Sequence, residues 1–162
     1  MDICKQKEMG MKTAVMQTPN GYLQLEAKNG AITRVDFVEA DGERLPEDTL
    51  LQRAVAQLKE YFAGERKAFE LPLRPQGTAF QMAAWKVLQG IPYGETITYG
   101  EEAARMGNKN ACRAVGGANH LNPIAIIIPC HRVVAAGGIG GYGNGVEKKR
   151  FLLALEAKNK HE

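Results

Sequence analysis

The chain has 162 residues, 44% of them hydrophobic and 24% charged, the balance of an ordinary globular protein with enough apolar material for one or two small domains. No apolar run approaches the roughly 20 residues that a bilayer-crossing helix needs, and Met1-Asp2-Ile3-Cys4-Lys5 lacks the apolar stretch and small-residue cleavage site of a secretory signal. The net charge of +3 is too small to argue for a nucleic-acid partner by itself. Its distribution is more informative: residues 1–77 hold 11 Lys+Arg against 12 Asp+Glu, whereas residues 78–162 hold 10 against 6, which places the positive balance in the second half. Cys4, Cys112 and Cys130 make an odd number with no framework spacing, so a reducing compartment is expected, the cytoplasm or, in a eukaryote, the nucleus.

Three short strand-like runs open the chain, Thr13–Gln17, Gly21–Ala27 and Ala31–Phe37, separated by Pro19-Asn20-Gly21 and Asn29-Gly30, both good turn chemistry. A polar stretch leads to an amphipathic helix over Leu50–Phe62, with Leu51, Val55, Leu58 and Phe62 on one face and Gly64 placed to end it. Leu71-Pro72-Leu73-Arg74-Pro75 reads as an extended linker because its prolines discourage helix. The fold class expected is α+β: an N-terminal α/β domain over residues 1–75, then a second domain over 76–162.

Thr78-x-x-Gln81 is a capping box that starts a helix through Leu88. Ile91-Pro92-Tyr93-Gly94 is a turn, and Thr98-x-x-Glu101 starts a short helix through Met106. Gly107 breaks that helix, Asn108 or Asn110 is placed to cap the next, and the next runs to Ala118. Two short helices joined by a tight glycine turn outline a helix-turn-helix. Ile124–Ile128, continuous and rich in β-branched residues, predicts a buried strand ended by Pro129. Gly137–Gly145, six glycines in nine residues, precedes a last helix over Val146–Glu156.

Chemistry concentrates after Pro129. Cys130-His131 places a nucleophile beside an imidazole, and a thiol near pKa 8.5 needs help to become the reactive thiolate. Adjacency in sequence does not guarantee contact, and most lone cysteines are inert core residues. Glu156 follows Leu152 and Leu153 by four and three residues and so shares their face rather than that of Lys148-Lys149-Arg150. Either it pairs with His131 in a Cys-His-Glu relay, or it reaches solvent from a fraying helix end. In Arg113-Ala114-Val115-Gly116-Gly117-Ala118 the glycine pair costs a helix about 2 kcal/mol relative to alanine. Two readings explain that cost: close packing against another helix, or entry of a slim helix into a minor groove with Arg113 as its one long probe. The glycine loop lacks the Gly-Lys-Ser/Thr ending of a phosphate cradle and reads as a lid carrying Tyr142. No pair spacing suggests a metal site.

Together these residues resemble one family. Ile128-Pro129-Cys130-His131-Arg132-Val133-Val134 is similar to the active-site signature of the methylated-DNA–protein-cysteine methyltransferases, also called O(6)-alkylguanine-DNA alkyltransferases. The similarity extends through Gly77-Thr78-x-Phe80-Gln81, Tyr93-Gly94-Glu95 to Tyr99, Arg113 to Asn119, Asn122-Pro123, Gly141-Tyr142 and Leu152-Leu153-x-x-Glu156.

The resemblance implies single-use repair of O(6)-alkylguanine, with O(4)-alkylthymine as a second candidate lesion, in double-stranded DNA bound through its minor groove. No cofactor and no metal are expected, and a monomer is the expected state. Cys130 matches the alkyl acceptor, His131 the base that helps ionise it through a bound water, Glu156 the carboxylate behind it, and Asn122 an asparagine bracing the helix-turn-helix against the active-site strand. Arg113 matches the arginine that fills the space of the flipped nucleotide, with Gly116, Gly117 and Ala118 on the same slim helix. Tyr99 matches the tyrosine that turns the target phosphate. Val133 (through its backbone), Tyr142 and Gly143 fall where the extruded base is held. Serine or alanine is frequent after the lid tyrosine, whereas Gly143-Asn144-Gly145 follows here.

Overall fold

The computed structural model describes residues 10–160, so Cys4 lies outside the described residues. Strands β1 (Met11–Thr18), β2 (Gly21–Lys28) and β3 (Ala31–Val38) form an antiparallel sheet in the order β1-β2-β3. Asn29 and Gly30 turn the second hairpin with φ of 52° and 79°, the paired positive dihedrals that match strand twist in a tight loop. Strand alternation brings Ala14, Met16, Leu23, Leu25 and Val35 inward. Against them packs α1 (Thr49–Phe62), capped by the Asp48 carboxylate and burying Leu51, Ala54, Val55 and Leu58. Tyr61, not the expected Phe62, completes the buried stripe, and Phe62 is only half-buried with its ring edge-on to Tyr61.

The stretch 71–75, expected to be a linker, is stitched to the free edge of β3. Ile32 N donates to Pro72 O and Arg74 N to Ile32 O, both at 2.8 Å. The buried Gln57 grips the preceding Glu70 with both ends of its amide, at 2.9 and 3.2 Å. Prolines fit here because an edge strand leaves alternate N–H groups unused. The chain divides into two compact units after Pro75.

The second unit begins with α2 (Ala79–Gln89). Both arms of its capping box are made, Gln81 N to Thr78 Oγ1 at 3.1 Å and Thr78 N to Gln81 Oε1 at 2.9 Å. The Trp85 indole, fully buried, donates to Ala118 O at 2.8 Å and so fastens α2 to α4 (Cys112–His120). Between them, β4 (Ile97–Thr98) runs directly into α3 (Tyr99–Arg105), which ends at Gly107 with φ of 86°. Neither Asn108 nor Asn110 caps α4. Asn108 instead accepts from Asn110 N in a local turn, and Ala111 precedes the helix without a side-chain cap.

Residues 124–128 are buried, as their composition requires, but they are not a strand. Ile126 takes a left-handed φ of 72°, and the backbone folds on itself through Ile127 N to Ala125 O and Ile128 N to Ile124 O. Asn122 satisfies the turn at both ends, accepting from Ile124 N at 3.0 Å and donating to Ile128 O at 2.7 Å. A 3-10 turn, Cys130–Arg132, then leads to β5 (Val133–Val134), which pairs in parallel with β4. Helix α5 (Val146–Asn159) closes the unit. No described helix is long and apolar enough to cross a membrane.

Replacing Thr78 with Ala removes the cap of α2 and is expected to cost about 1 kcal/mol. Urea unfolding followed by Trp85 fluorescence measures it, and an unchanged midpoint would contradict the role given to the capping box.

Candidate active site

The backbone of Cys130 is fixed first. Ile128 O accepts from Cys130 N at 2.8 Å and from Asn122 Nδ2 at 2.7 Å, so the asparagine and the cysteine share one anchor. Cys130 is 9% exposed. It opens on a cleft of about 100 Å³ lined also by Tyr99, Gly116, Asn119, His120, Gly141, Tyr142 and Gly143. The parallel β4–β5 pair explains why Tyr99 is there: it ties the residue before α3 to the strand that follows the Cys130 turn.

Behind the sulfur lies a buried ionic cluster. Glu156, 1% exposed, takes His131 Nε2 at 2.7 Å and Arg132 Nη2 at 3.0 Å on one oxygen, and Arg132 Nε at 2.8 Å and Gly94 N at 3.1 Å on the other. Arg132 also donates to Ile91 O at 2.7 Å and lies over the Tyr93 ring. Burial alone would push the Glu156 carboxyl up, but the bonds from His131 and Arg132 outweigh it and hold the group far below the usual carboxylate range. An ionised carboxylate only accepts, so Nε2 of His131 carries the proton. Burial also lowers the His131 pKa despite the neighbouring anion. The ring is therefore neutral, and its Nδ1 is a buried lone pair without a protein hydrogen-bond partner among the described residues.

Burial pushes the Cys130 thiol up to about 11, against the lowering effect of Asn122 and of the Lys149 charge. The thiol is thus protonated at rest and reacts only when a base takes its proton. Lys149, grouped in the sequence with Lys148 and Arg150 on a face apart from Glu156, is fully buried. Its ammonium donates to Val133 O at 2.6 Å and Gly141 O at 2.9 Å and sits 5.8 Å from the Tyr99 ring centroid. Desolvation brings its pKa down to about 8, with the sulfur pulling the other way. The glycine loop is consequently fastened at Gly141. Gly140, with φ of 76°, lets that loop cross Tyr99 where a Cβ would come within 2.9 Å of the phenol oxygen. Burial raises the Tyr99 pKa as well.

Helix α4 has two distinct faces. Val115, Ala118 and Asn119 are buried, whereas Arg113, Ala114 and Gly117 are exposed. A Cβ on Gly117 would meet nothing within 4 Å, and one on Gly116 only the Tyr99 ring at 4.0 Å, so the glycine pair does not seat another helix. Ala118 does not belong to this open face: its side chain is in the core and its carbonyl is held by Trp85. Val133 is buried with its carbonyl engaged by Lys149. At Gly143 a Cβ would come within 3.3 Å of His120, a tight approach that the glycine after the lid tyrosine avoids. No group of His, Cys, Asp or Glu able to hold a metal occurs among the described residues.

Residues 79–158 match the family model described as 6-O-methylguanine DNA methyltransferase, DNA binding domain, and residues 11–75 match the ribonuclease-like domain of the same enzyme. The chain belongs to the O6-methylguanine DNA methyltransferase family. A methylated-DNA–protein-cysteine methyltransferase of Methanosarcina acetivorans is 44% identical over 153 residues, 90% of this chain and 98% of that one. The crystal structure of the Mycobacterium tuberculosis O6-methylguanine methyltransferase superposes with a TM-score of 0.83 at 43% identity, covering 92% of this chain and 94% of that one. A structure of the Mycobacterium tuberculosis protein in complex with DNA gives 0.81 at 46% identity, over 90% and 92%. The family's ribonuclease-like and DNA-binding parts thus occur here in order, as an α+β chain.

Four buried polar residues of this family member escaped the sequence reading of the site: Arg132, Lys149, Glu102 and Asn119. Lys149 stands three residues before Leu152 and seven before Glu156, a helical spacing that could have revealed it. Glu102, fully buried on α3, accepts from Asn119 Nδ2 at 2.7 Å. Burial raises its carboxyl from 4.5 to about 7, opposed by that bond. A raised folded-state pKa means that its stabilising contribution is complete below about pH 4.5 and is lost as pH rises through about 7. The variant Glu102→Gln lacks this titration, so its stability relative to the parent is expected to improve by about 3 kcal/mol between pH 4.5 and 8. Urea unfolding across that range checks it, and parallel stability curves would refute it.

Proposed function

We infer that the protein repairs O6-methylguanine in DNA by moving the methyl group onto its own Cys130. The observation that carries this reading is the sulfur's position: it opens on the cleft while a neutral, oriented imidazole and its carboxylate are buried behind it. His131 takes the thiol proton on Nδ1, directly or through one water, and Glu156 stabilises the imidazolium that results. Sulfur then attacks the methyl carbon. The carbon–oxygen bond breaks, its electron pair stays on the guanine oxygen, and guanine leaves as it is protonated. Tyr99 lines the cleft and supplies an O–H donor, and Lys149, buried against its ring, supplies positive charge near the developing negative charge. A thioether offers no return path, so one molecule repairs one lesion and no cofactor enters the cycle.

The reacting atom of such a lesion is inaccessible within the stacked duplex, so the base must be extruded. The exposed small-residue face of α4 suits close approach to the minor groove of double-stranded DNA, with Gly116 and Gly117 keeping the helix slim and Arg113 reaching into the stack. A monomer suffices, since every residue invoked lies on one chain.

An oligonucleotide bearing one O6-methylguanine with a labelled methyl group tests the chemistry. Label is expected to move to protein at a one-to-one limit, to a peptide containing Cys130, and Cys130→Ala is expected to abolish it. Binding without transfer would indicate a lesion-recognition protein, and product in catalytic excess a cysteine hydrolase. A separate test addresses extrusion. Arg113→Ala is expected to slow repair of duplex substrate at least about tenfold while barely changing reaction with free O6-methylguanine. Equal losses on both substrates would remove Arg113 from that role.

A further inference from the structure

Asn119 lies in the cleft wall beside Cys130 although it belongs to the buried face of α4. Its amide is committed on one side only. The nitrogen donates to Glu102 Oε1 at 2.7 Å, whereas Oδ1 is buried and has no hydrogen-bond partner among the described residues. Glu102 reaches this position from α3 with no exposure to solvent. Oε1 of Glu102 takes the amide nitrogen, which leaves Oδ1 as the free end of the amide. A buried acceptor left without a donor is costly and is rarely kept without use.

We propose that Asn119 is a specificity-determining residue for the extruded base, and that Glu102 is the positioning residue that orients it. This rests on the repair reading above and extends it to the choice of lesion. O6-alkylguanine keeps a 2-amino group with two N–H donors, which a fixed amide oxygen can accept. O4-alkylthymine presents acceptors and no ring or amino donor, so the same oxygen opposes it. A site built to hydrogen-bond one group discriminates against the analogue that lacks it far better than an apolar wall discriminates by size. The cleft therefore selects alkylated purines carrying an amino donor over alkylated thymine.

Single-turnover rates of the full chain on three labelled duplexes test this, with O6-methylguanine, O6-methylhypoxanthine (the same base without the amino group) or O4-methylthymine at one position. The parent is expected to prefer guanine over hypoxanthine by about tenfold or more. In Asn119→Leu the preference is expected to collapse toward unity, chiefly by slower reaction with guanine, and the thymine lesion gains relative to guanine. Glu102→Leu is expected to behave alike, whereas Glu102→Gln, whose carbonyl oxygen still accepts from Asn119, retains the preference. Each variant is compared with itself on different bases, so a loss of folded protein cancels from the ratio. An unchanged preference in Asn119→Leu, or an equal loss on guanine and hypoxanthine, would overturn the proposal. Absence of transfer from every base by the parent would refute the repair reading instead.

Discussion

The buried carboxylate of Glu156 is the point on which the active unit is assembled. Four donors from three places converge on it: the His131 ring, two nitrogens of Arg132 and the backbone of Gly94. Taking an ion pair out of water is expensive, and attraction repays it only when the remaining lone pairs are filled. Here they are filled, and the filling has a structural consequence. Arg132 also holds Ile91 O, so the turn before β4, the turn carrying Cys130 and the last helix are joined by one charge. Losing Arg132 or Glu156 would leave a buried ion without its counter-charge rather than merely delete a contact. The same arrangement decides the protonation state of the base, because an anion facing Nε2 leaves Nδ1 as the lone pair.

The sulfur is governed by the opposite pressure. A site dry enough to sharpen the His131–Glu156 bond also disfavours the thiolate, and the thiol accordingly rises to about 11. For a protein consumed by one reaction this is protective, since a resting thiolate would be spent on stray electrophiles. Lys149 limits the penalty by placing a charge nearby, and its ammonium simultaneously holds Val133 O and the lid at Gly141. Lid closure and nucleophile electrostatics therefore depend on one buried group. A lid that departs takes a ligand from the lysine, whose desolvated ammonium has few substitutes.

Local chemistry was the most legible part of the sequence. Asn29-Gly30 determined a hairpin, Thr78 and Gln81 determined a helix start, and the pairing of His131 with Glu156 is one of the two outcomes that the helix face of Glu156 allowed. The run 124–128 shows the limit. An apolar pattern reports that side chains are buried, but not where the backbone's hydrogen bonds go, and here Asn122 supplies partners that a sheet would otherwise provide. The prolines of 71–75 misled in the reverse direction, because an edge pairing needs only the N–H of Arg74. Lys149 was readable from spacing but was masked by its charged neighbours Lys148 and Arg150. Glu102 was not readable at all: α3 has seven residues, too few for a periodic signal, and its partner stands on a different helix.

Helix α4 joins the outside of the protein to the reacting centre. Arg113 projects from its exposed face and Asn119 lies in the cleft wall, six positions and about 9 Å of helix rise apart. Trp85 grips the carbonyl of Ala118 and Glu102 grips the amide of Asn119, so the C-terminal half of the helix cannot shift without breaking buried bonds. The Arg113 end carries no side-chain cap. The helix is therefore fastened by side chains at its cleft end and by backbone bonds alone at its outer end.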